Sequence, residues 1–218
     1  MTMWSITTLA ITVFLLPLLY AYDNVPLQDI CVADNSQALI FVNGKTCKNP
    51  KLAKPDDFFT SGLNVPGNIV PGFDFPTKLV DVTVIPGLNT QAMTIARADL
   101  GPKQLFPLHT HPRAAELVIV LDGRLYVGFL VPNPENVSKS RLFAKILNPG
   151  DVFVFPKGLI HFQYNVANKT TSYFGFLNSQ NPGIIPVPSS ILVSDPPIMN
   201  EVLSEGFKLN KIRQRLQN

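Results

Sequence analysis

This 218-residue chain contains three histidines, and they fall where metal ligands could stand. His109 and His111 flank Thr110 in "HTHPRAAE", Glu116 lies five positions beyond His111, and His161 sits far downstream in "PKGLIHFQYN". On an extended strand, side chains two apart leave the same face. His109 and His111 can therefore present two nitrogen donors together. Glu116 is at an odd offset, which an unbroken strand would send to the opposite face. Pro112 removes a ladder donor directly after His111 and allows a bend or bulge there. The spacing permits Glu116 as a third ligand without requiring it. His161 must arrive from a separate strand, as barrels allow. Three imidazoles and one carboxylate suit a divalent transition metal and, on an octahedral ion, leave two positions for water or substrate. Catalytic metals need such an open position. Zinc, iron, manganese and nickel all accept these donors, and spacing does not choose among them. Taken singly, each residue also has an ordinary reading as a solvated or hydrogen-bonded side chain; the argument rests on their concurrence.

The elements that must carry these residues read as short strands. From Leu79 onward, "LVDVTVI", "AMTIARADL", "RLFAKIL", "VFVFP", "IHFQYNVAN" and "TSYFGFL" are rich in branched and aromatic residues and are separated by turn formers. "ELVIVLDGRLYVGFLV" reads as a hairpin closing at Asp122-Gly123, a favoured turn dipeptide. Close-set strands with turn signals predict an all-β antiparallel sandwich or barrel, with its core at about 79–180. Residues 23–78, rich in Pro, Gly, Asn and Asp, read as an irregular arm. Past Pro196-Pro197, apolar residues spaced among polar ones predict short amphipathic helices over about 197–217, divided near Gly206. No repeat is evident, and the whole reads as one domain.

Bulk properties narrow the function. Net charge is only +3 and the basic residues are scattered, a poor footprint for nucleic acid. No charged residue precedes Asp23, and the apolar run from Leu9 to Tyr20 is too short and too interrupted by Pro17 for a membrane span. Residues 1–21 read as a secretory leader cut after Ala21, with a retained anchor as the competing reading. In an oxidising compartment Cys31 and Cys47, the only cysteines, read as a disulfide. The sequons Asn136-Val137-Ser138 and Asn168-Lys169-Thr170 agree with secretion and mark Asn136 and Asn168 as glycosylation candidates.

The pattern His109-x-His111, four residues, Glu116, six residues, Gly123 resembles the first motif of the cupins. Gly150, five residues, Pro156, four residues, His161, three residues, Asn165 resembles the second. With "LQDICVAD", "NGKTCKNP" and "IPGLNT", the sequence is similar to the germin-like proteins, secreted plant members of that superfamily, over residues 22–218. The resemblance implies a β-jellyroll barrel with a disulfide-tied N-terminal arm and C-terminal helices. It implies manganese held by His109, His111, Glu116 and His161, although other divalent metals remain compatible. It also implies a homo-oligomer, often a hexamer, in the apoplast or at the cell wall, with a defence-related role.

Departures from the family pattern bear on activity. Lys103 replaces the glycine that opens the first motif, and the hairpin tripeptide is Asp122-Gly123-Arg124. Ala96 and Phe106 stand where oxalate-oxidising germins place substrate-binding asparagines. Neither can donate a hydrogen bond to oxalate, which argues against oxalate oxidase activity. Phe106, with Phe153 and Phe162, is expected to narrow access to the ion. Two functions are carried forward, a manganese-dependent superoxide dismutase and a non-catalytic wall protein binding a small carboxylate such as an auxin. A storage role fits poorly with retention of all four ligands.

Overall fold

The computed structural model describes residues 31–34 and 45–208. The leader over residues 1–21 and the tail beyond Lys208 lie outside the described residues. Among the described residues eleven strands follow in order: β1 (Asn68–Ile69), β2 (Pro76–Val80), β3 (Thr94–Leu100), β4 (Leu105–Thr110), β5 (Glu116–Asp122), β6 (Leu125–Pro132), β7 (Ser140–Leu147), β8 (Val152–Phe155), β9 (His161–Asn165), β10 (Thr171–Leu177) and β11 (Ile185–Pro186). They form two antiparallel sheets, ordered β1-β2-β3-β10-β5-β8 and β11-β4-β9-β6-β7. The predicted all-β jellyroll is the architecture found.

Alternation of inward and outward residues explains why the sheets close on each other. In β5, Glu116, Val118 and Val120 are buried while Leu117 and Leu121 are exposed. Val118, Val120, Leu125, Val127, Leu147 and Phe155 join Phe75, Ala98, Leu100 and Tyr173 in one core. Each Val, Leu or Phe among them stabilises the fold by about 1.5–3 kcal/mol through removal from water.

Asp122-Gly123 does not close a hairpin. β5 pairs with β10 and β8, whereas β6 pairs with β7 and β9. The dipeptide carries the chain across a corner from one sheet to the other. Gly123 has φ +85°, and a Cβ there would collide with Thr171. The same crossing recurs between β7 and β8 and between β9 and β10. In this stretch the hairpin is β6–β7, paired from Leu125↔Leu147 to Pro132↔Ser140.

Three boundaries also shift. "LVDVTVI" is strand only to Val80, because the Asp81 carboxylate accepts the Thr83 N–H at 2.8 Å and bends the chain into a turn. The sheets begin at Asn68, inside the stretch read as an irregular arm, and run to Pro186. In the tail, α1 (Val187–Leu192) precedes the paired prolines, with Pro188 in its first turn. The second helix, α2 (Asn200–Phe207), contains Gly206 within its span instead of breaking there.

The arm is pinned by the predicted Cys31–Cys47 disulfide. Asn89, fully buried, ties that region to the barrel. Its Oδ1 accepts from Lys45 N–H at 2.9 Å and from Gln180 Nε2 at 3.2 Å, while its Nδ2 donates to the Lys45 carbonyl at 2.7 Å. This is the work of the asparagine in "IPGLNT". At the far end of the barrel, Asn165 Nδ2 lies 2.8–2.9 Å from the carbonyls of Leu100, Gly101 and Lys169.

Candidate metal centre

The four predicted ligands come together in the barrel interior. His109, near the end of β4, faces His161, the first residue of β9, across a strand pair. His111 lies just past β4, and the turn at Pro112 then delivers Glu116 as the first residue of β5. Glu116 thus belongs to the opposite sheet. Its odd offset from His111 ceases to matter, because no common strand joins them. A bulge does occur, but earlier, between Phe106 and His109. One candidate ligand atom from each residue lies within 4.8 Å of all the others, and all four residues are buried.

Backbone carbonyls set the imidazole tautomers. His109 Nδ1 donates to the Pro107 carbonyl at 2.7 Å, His111 Nδ1 to that of Gly183 at 2.5 Å, and His161 Nδ1 to that of Leu159 at 2.8 Å. A carbonyl can only accept, so each Nδ1 carries a proton and each Nε2 faces inward, a lone pair on the neutral His109 ring and, once a metal displaces any proton there, on the other two. Glu116 Oε2 lies 3.0 Å from His161 Nε2 and 3.3 Å from His111 Nε2. His109 Nε2 is buried without any hydrogen-bond partner. A buried nitrogen with an inward lone pair and nothing to bond fits a metal ion, as does the donor set of three nitrogens and one oxygen.

The electrostatics favour a cation. Burial, reinforced by repulsion from His161, lowers the His109 pKa to about 3, so this ring stays neutral and available as a ligand. Burial alone would lower His111 too, but its hydrogen bond to Glu116 and the carboxylate charge outweigh that effect and leave its pKa raised. Burial likewise opposes the Glu116 carboxylate, and the hydrogen bonds from His111 and His161 overcome it, holding its pKa well below the ordinary value. Glu116 keeps its negative charge.

Aromatic rings wall the centre. Phe106 stacks on His109 with centroids 4.3 Å apart, and Phe155 stacks on His161 at 4.4 Å. Phe153 packs behind Phe155 at 5.4 Å. Phe162, one residue out of phase with His161, meets Tyr126 instead and is not part of the wall. Ala96 pairs with Gly175 in the sheet that carries Glu116, at the inward phase of β3. The sequence reading overlooked Phe155 and Gly175. A Cβ on Gly175 would lie 2.5 Å from Glu116 Oε1, so only glycine lets the carboxylate lie there. A lone glycine within "TSYFGFL" was the available signal. Asn136 and Asn168 are exposed in the β6–β7 and β9–β10 turns, away from the centre.

Comparison with known proteins agrees with this architecture. The cupin family model matches residues 61–214. Germin-like protein subfamily 1 member 7 of Arabidopsis thaliana is 49% identical over 189 residues, covering 87% of this chain and 81% of the relative. Member 20 of the same subfamily and organism is 46% identical over 206 residues, covering 94% and 91%. Among solved structures, oxalate oxidase in complex with the substrate analogue glycolate superposes with a TM-score of 0.76 at 39% identity, over 84% of this chain and 90% of that one. Peruvianin-I, a cysteine peptidase from Thevetia peruviana latex, gives 0.66 at 40% identity, over 74% and 96%. An oxidase and a peptidase share the barrel, so the fold alone does not choose a reaction. With its two matched motifs, its disulfide-tied arm and its buried His/His/Glu/His cluster, the chain belongs to the cupin family, among the germin-like proteins.

Proposed function

We propose that this is a secreted, manganese-binding germin-like glycoprotein of the plant apoplast, with a defence-related role, that dismutates superoxide and does not oxidise oxalate. The observation that carries the reading is the orphaned His109 Nε2 facing the Glu116 carboxylate and two further inward imidazoles. His109, His111, Glu116 and His161 would hold the ion. Bound manganese would supply reversible one-electron chemistry, which zinc lacks. The chain's own contribution is to fix three imidazole tautomers through backbone carbonyls, to keep Glu116 charged, and to exclude bulk water with Phe106 and Phe155. Phe106 and Ala96 offer no amide to an oxalate carboxylate, whereas a diatomic anion needs none.

Secretion is supported by the disulfide and by the exposure of both sequon asparagines. A homo-oligomer, a hexamer by family resemblance, is supported by the outward face of the larger sheet. There Leu117, Val152, Val154 and Phe176 are 39–53% exposed side by side. The second reading, a non-catalytic binder of a small carboxylate such as an auxin, draws on the aromatic wall beside a cationic centre. The test is elemental analysis of the secreted protein together with superoxide consumption by wild type and His111→Ala. About one manganese per chain and activity lost in the variant are expected. Equal rates would remove the enzyme reading, and stoichiometric zinc would remove one-electron chemistry.

A further inference from the structure

Of the four ligand side chains, His111 alone stands outside a strand. His109 and His161 are placed by the register of β4 and β9. Each gives its Nδ1 proton to a carbonyl two residues back along the chain, that of Pro107 or Leu159. The carbonyl that takes the His111 proton is instead that of Gly183, 72 positions away. The orientation of this one ring therefore depends on how firmly a distant segment is held.

Gly183 lies in a crossing that runs beside the one carrying His111. Residues 111–115 lead from β4 in one sheet to β5 in the other, and residues 178–184 lead from β10 back to β11. Both ends of the second crossing pair with ligand-bearing strands, Leu177 with Glu116 and Ile185 with Thr110. Between those ends the crossings are tied together. Ala115 N–H donates to Asn178 Oδ1 at 2.8 Å, Asn178 N–H to the Ala115 carbonyl at 3.3 Å, and Arg113 N–H to the Pro182 carbonyl at 3.2 Å. The Arg113 side chain adds a fork. Its Nε donates to the Asn181 carbonyl at 2.7 Å and its Nη2 to Asn181 Oδ1 at 3.0 Å. The same guanidinium backs Gly183, where an added Cβ would stand 2.7 Å from Nη2.

Arg113 is exposed, and exposed hydrogen bonds contribute little to global stability because water replaces them. Its charge does not serve the centre either, since a cation two residues from a ligand opposes the binding of another cation. Direction is what the fork supplies, because a planar guanidinium fixes two acceptors at once. We propose that Arg113 is a positioning residue for the metal centre, gripping Asn181 so that the Gly183 carbonyl fixes the Nδ1 proton and the ring plane of His111. The inference rests on the metal-site reading and deepens it. His109 and His161 are oriented by their own strands, whereas His111 is oriented by a second crossing through Arg113.

The experiment compares the full-length protein with Arg113→Lys and Arg113→Met. Lysine keeps the charge and loses the fork; methionine loses both and keeps an apolar stem. Both variants should bind manganese about tenfold more weakly in equilibrium dialysis, the low end of the usual cost of losing an outer partner of a ligand. Zinc, which accepts the same donors, serves as a diamagnetic stand-in for observing the rings. NMR of zinc-loaded wild type should show three slowly exchanging Nδ1 protons. In both variants that of His111 alone should exchange faster, by about tenfold. Unchanged manganese affinity, or a His111 proton that exchanges no faster, overturns the proposal. So does wild-type affinity in Arg113→Lys with tighter binding in Arg113→Met, the pattern of charge acting alone. Faster exchange of all three protons assigns Arg113 a general structural role and overturns it as well. Should the arginine variants not fold, Asn181→Ala leaves Arg113 in place and removes one of its acceptors. It should quicken the His111 proton alone, by about threefold, and no change there overturns the proposal. Wild type that takes up no metal overturns the centre and the proposal with it, a result distinct from normal uptake that is indifferent to Arg113.

Discussion

His109 and Glu116 show how two individual side chains make the interior ready for a cation. A neutral imidazole and a charged carboxylate are both unusual states to enforce so deep in a protein, and each has a measurable consequence. The folded pKa of His109 lies near 3 rather than 6.5. Below 6.5 the unfolded chain takes up a proton that the folded one refuses, so the metal-free fold loses stability as pH falls toward 3. Glu116 acts in the same direction. Its depressed pKa stabilises the fold above its ordinary 4.5, and that stabilisation fades as pH falls through the lower folded value. His111 opposes both. Its raised pKa adds stability below 6.5 that is lost as pH rises through its folded value. Melting curves of metal-free protein between about pH 8 and pH 4 should decline on the acid side, and less steeply in His109→Gln. Metal affinity should rise with pH, because the ion displaces the proton that Glu116 holds on His111. Calorimetry in buffers of differing ionisation enthalpy should register that release. Glu116→Gln should weaken manganese binding by at least about 100-fold in equilibrium dialysis, exceeding the usual cost of losing an outer hydrogen-bond partner.

At the scale of elements, the corners decide the outcome. Gly175 sits mid-strand under the Glu116 carboxylate, and Gly175→Ala should cost about 1–3 kcal/mol in denaturant unfolding through overpacking. The same substitution should loosen metal binding, because the carboxylate must move. That β5, β6, β9 and β10 are strands was legible from their branched and aromatic composition, but their inward phase was not written in residue type, because β9 buries His161, Gln163 and Asn165 and leaves Phe162 and Tyr164 half-buried. Equally beyond it was which strand each would pair with. Asp122-Gly123 has the local chemistry of a tight turn whether the chain returns to its own sheet or crosses to the other. Only the Thr171 packing against Gly123 and the partners of β5 and β6 separate the two outcomes. Likewise "LVDVTVI" has strand composition, and a single aspartate capping its own turn ends the strand early. The ligand set was legible as a spacing. The carbonyls that orient the rings were not, because every residue owns a carbonyl and only the fold shows which ones face a histidine.

For the molecule as a whole, the arm and the barrel stand in a simple relation. The Cys31–Cys47 bridge spans 16 positions, and its removal in a paired Cys→Ser variant should lower unfolding free energy by about 3 kcal/mol in the chain-entropy treatment. Reductant should shift wild type by the same amount and leave the variant unmoved. If the outward apolar face of β5, β8 and β10 joins copies of the chain, charge substitution at Val154 should lower the mass measured by light scattering. One further consequence follows from Glu116 standing on one sheet while His109 and His161 stand on the other. An ion held between them is a rivet through two plates, and it cannot leave until the plates part. The pace at which a chelator strips the protein would then time the breathing of the barrel, and amides along β9 should trade their hydrogens for deuterium on the same clock.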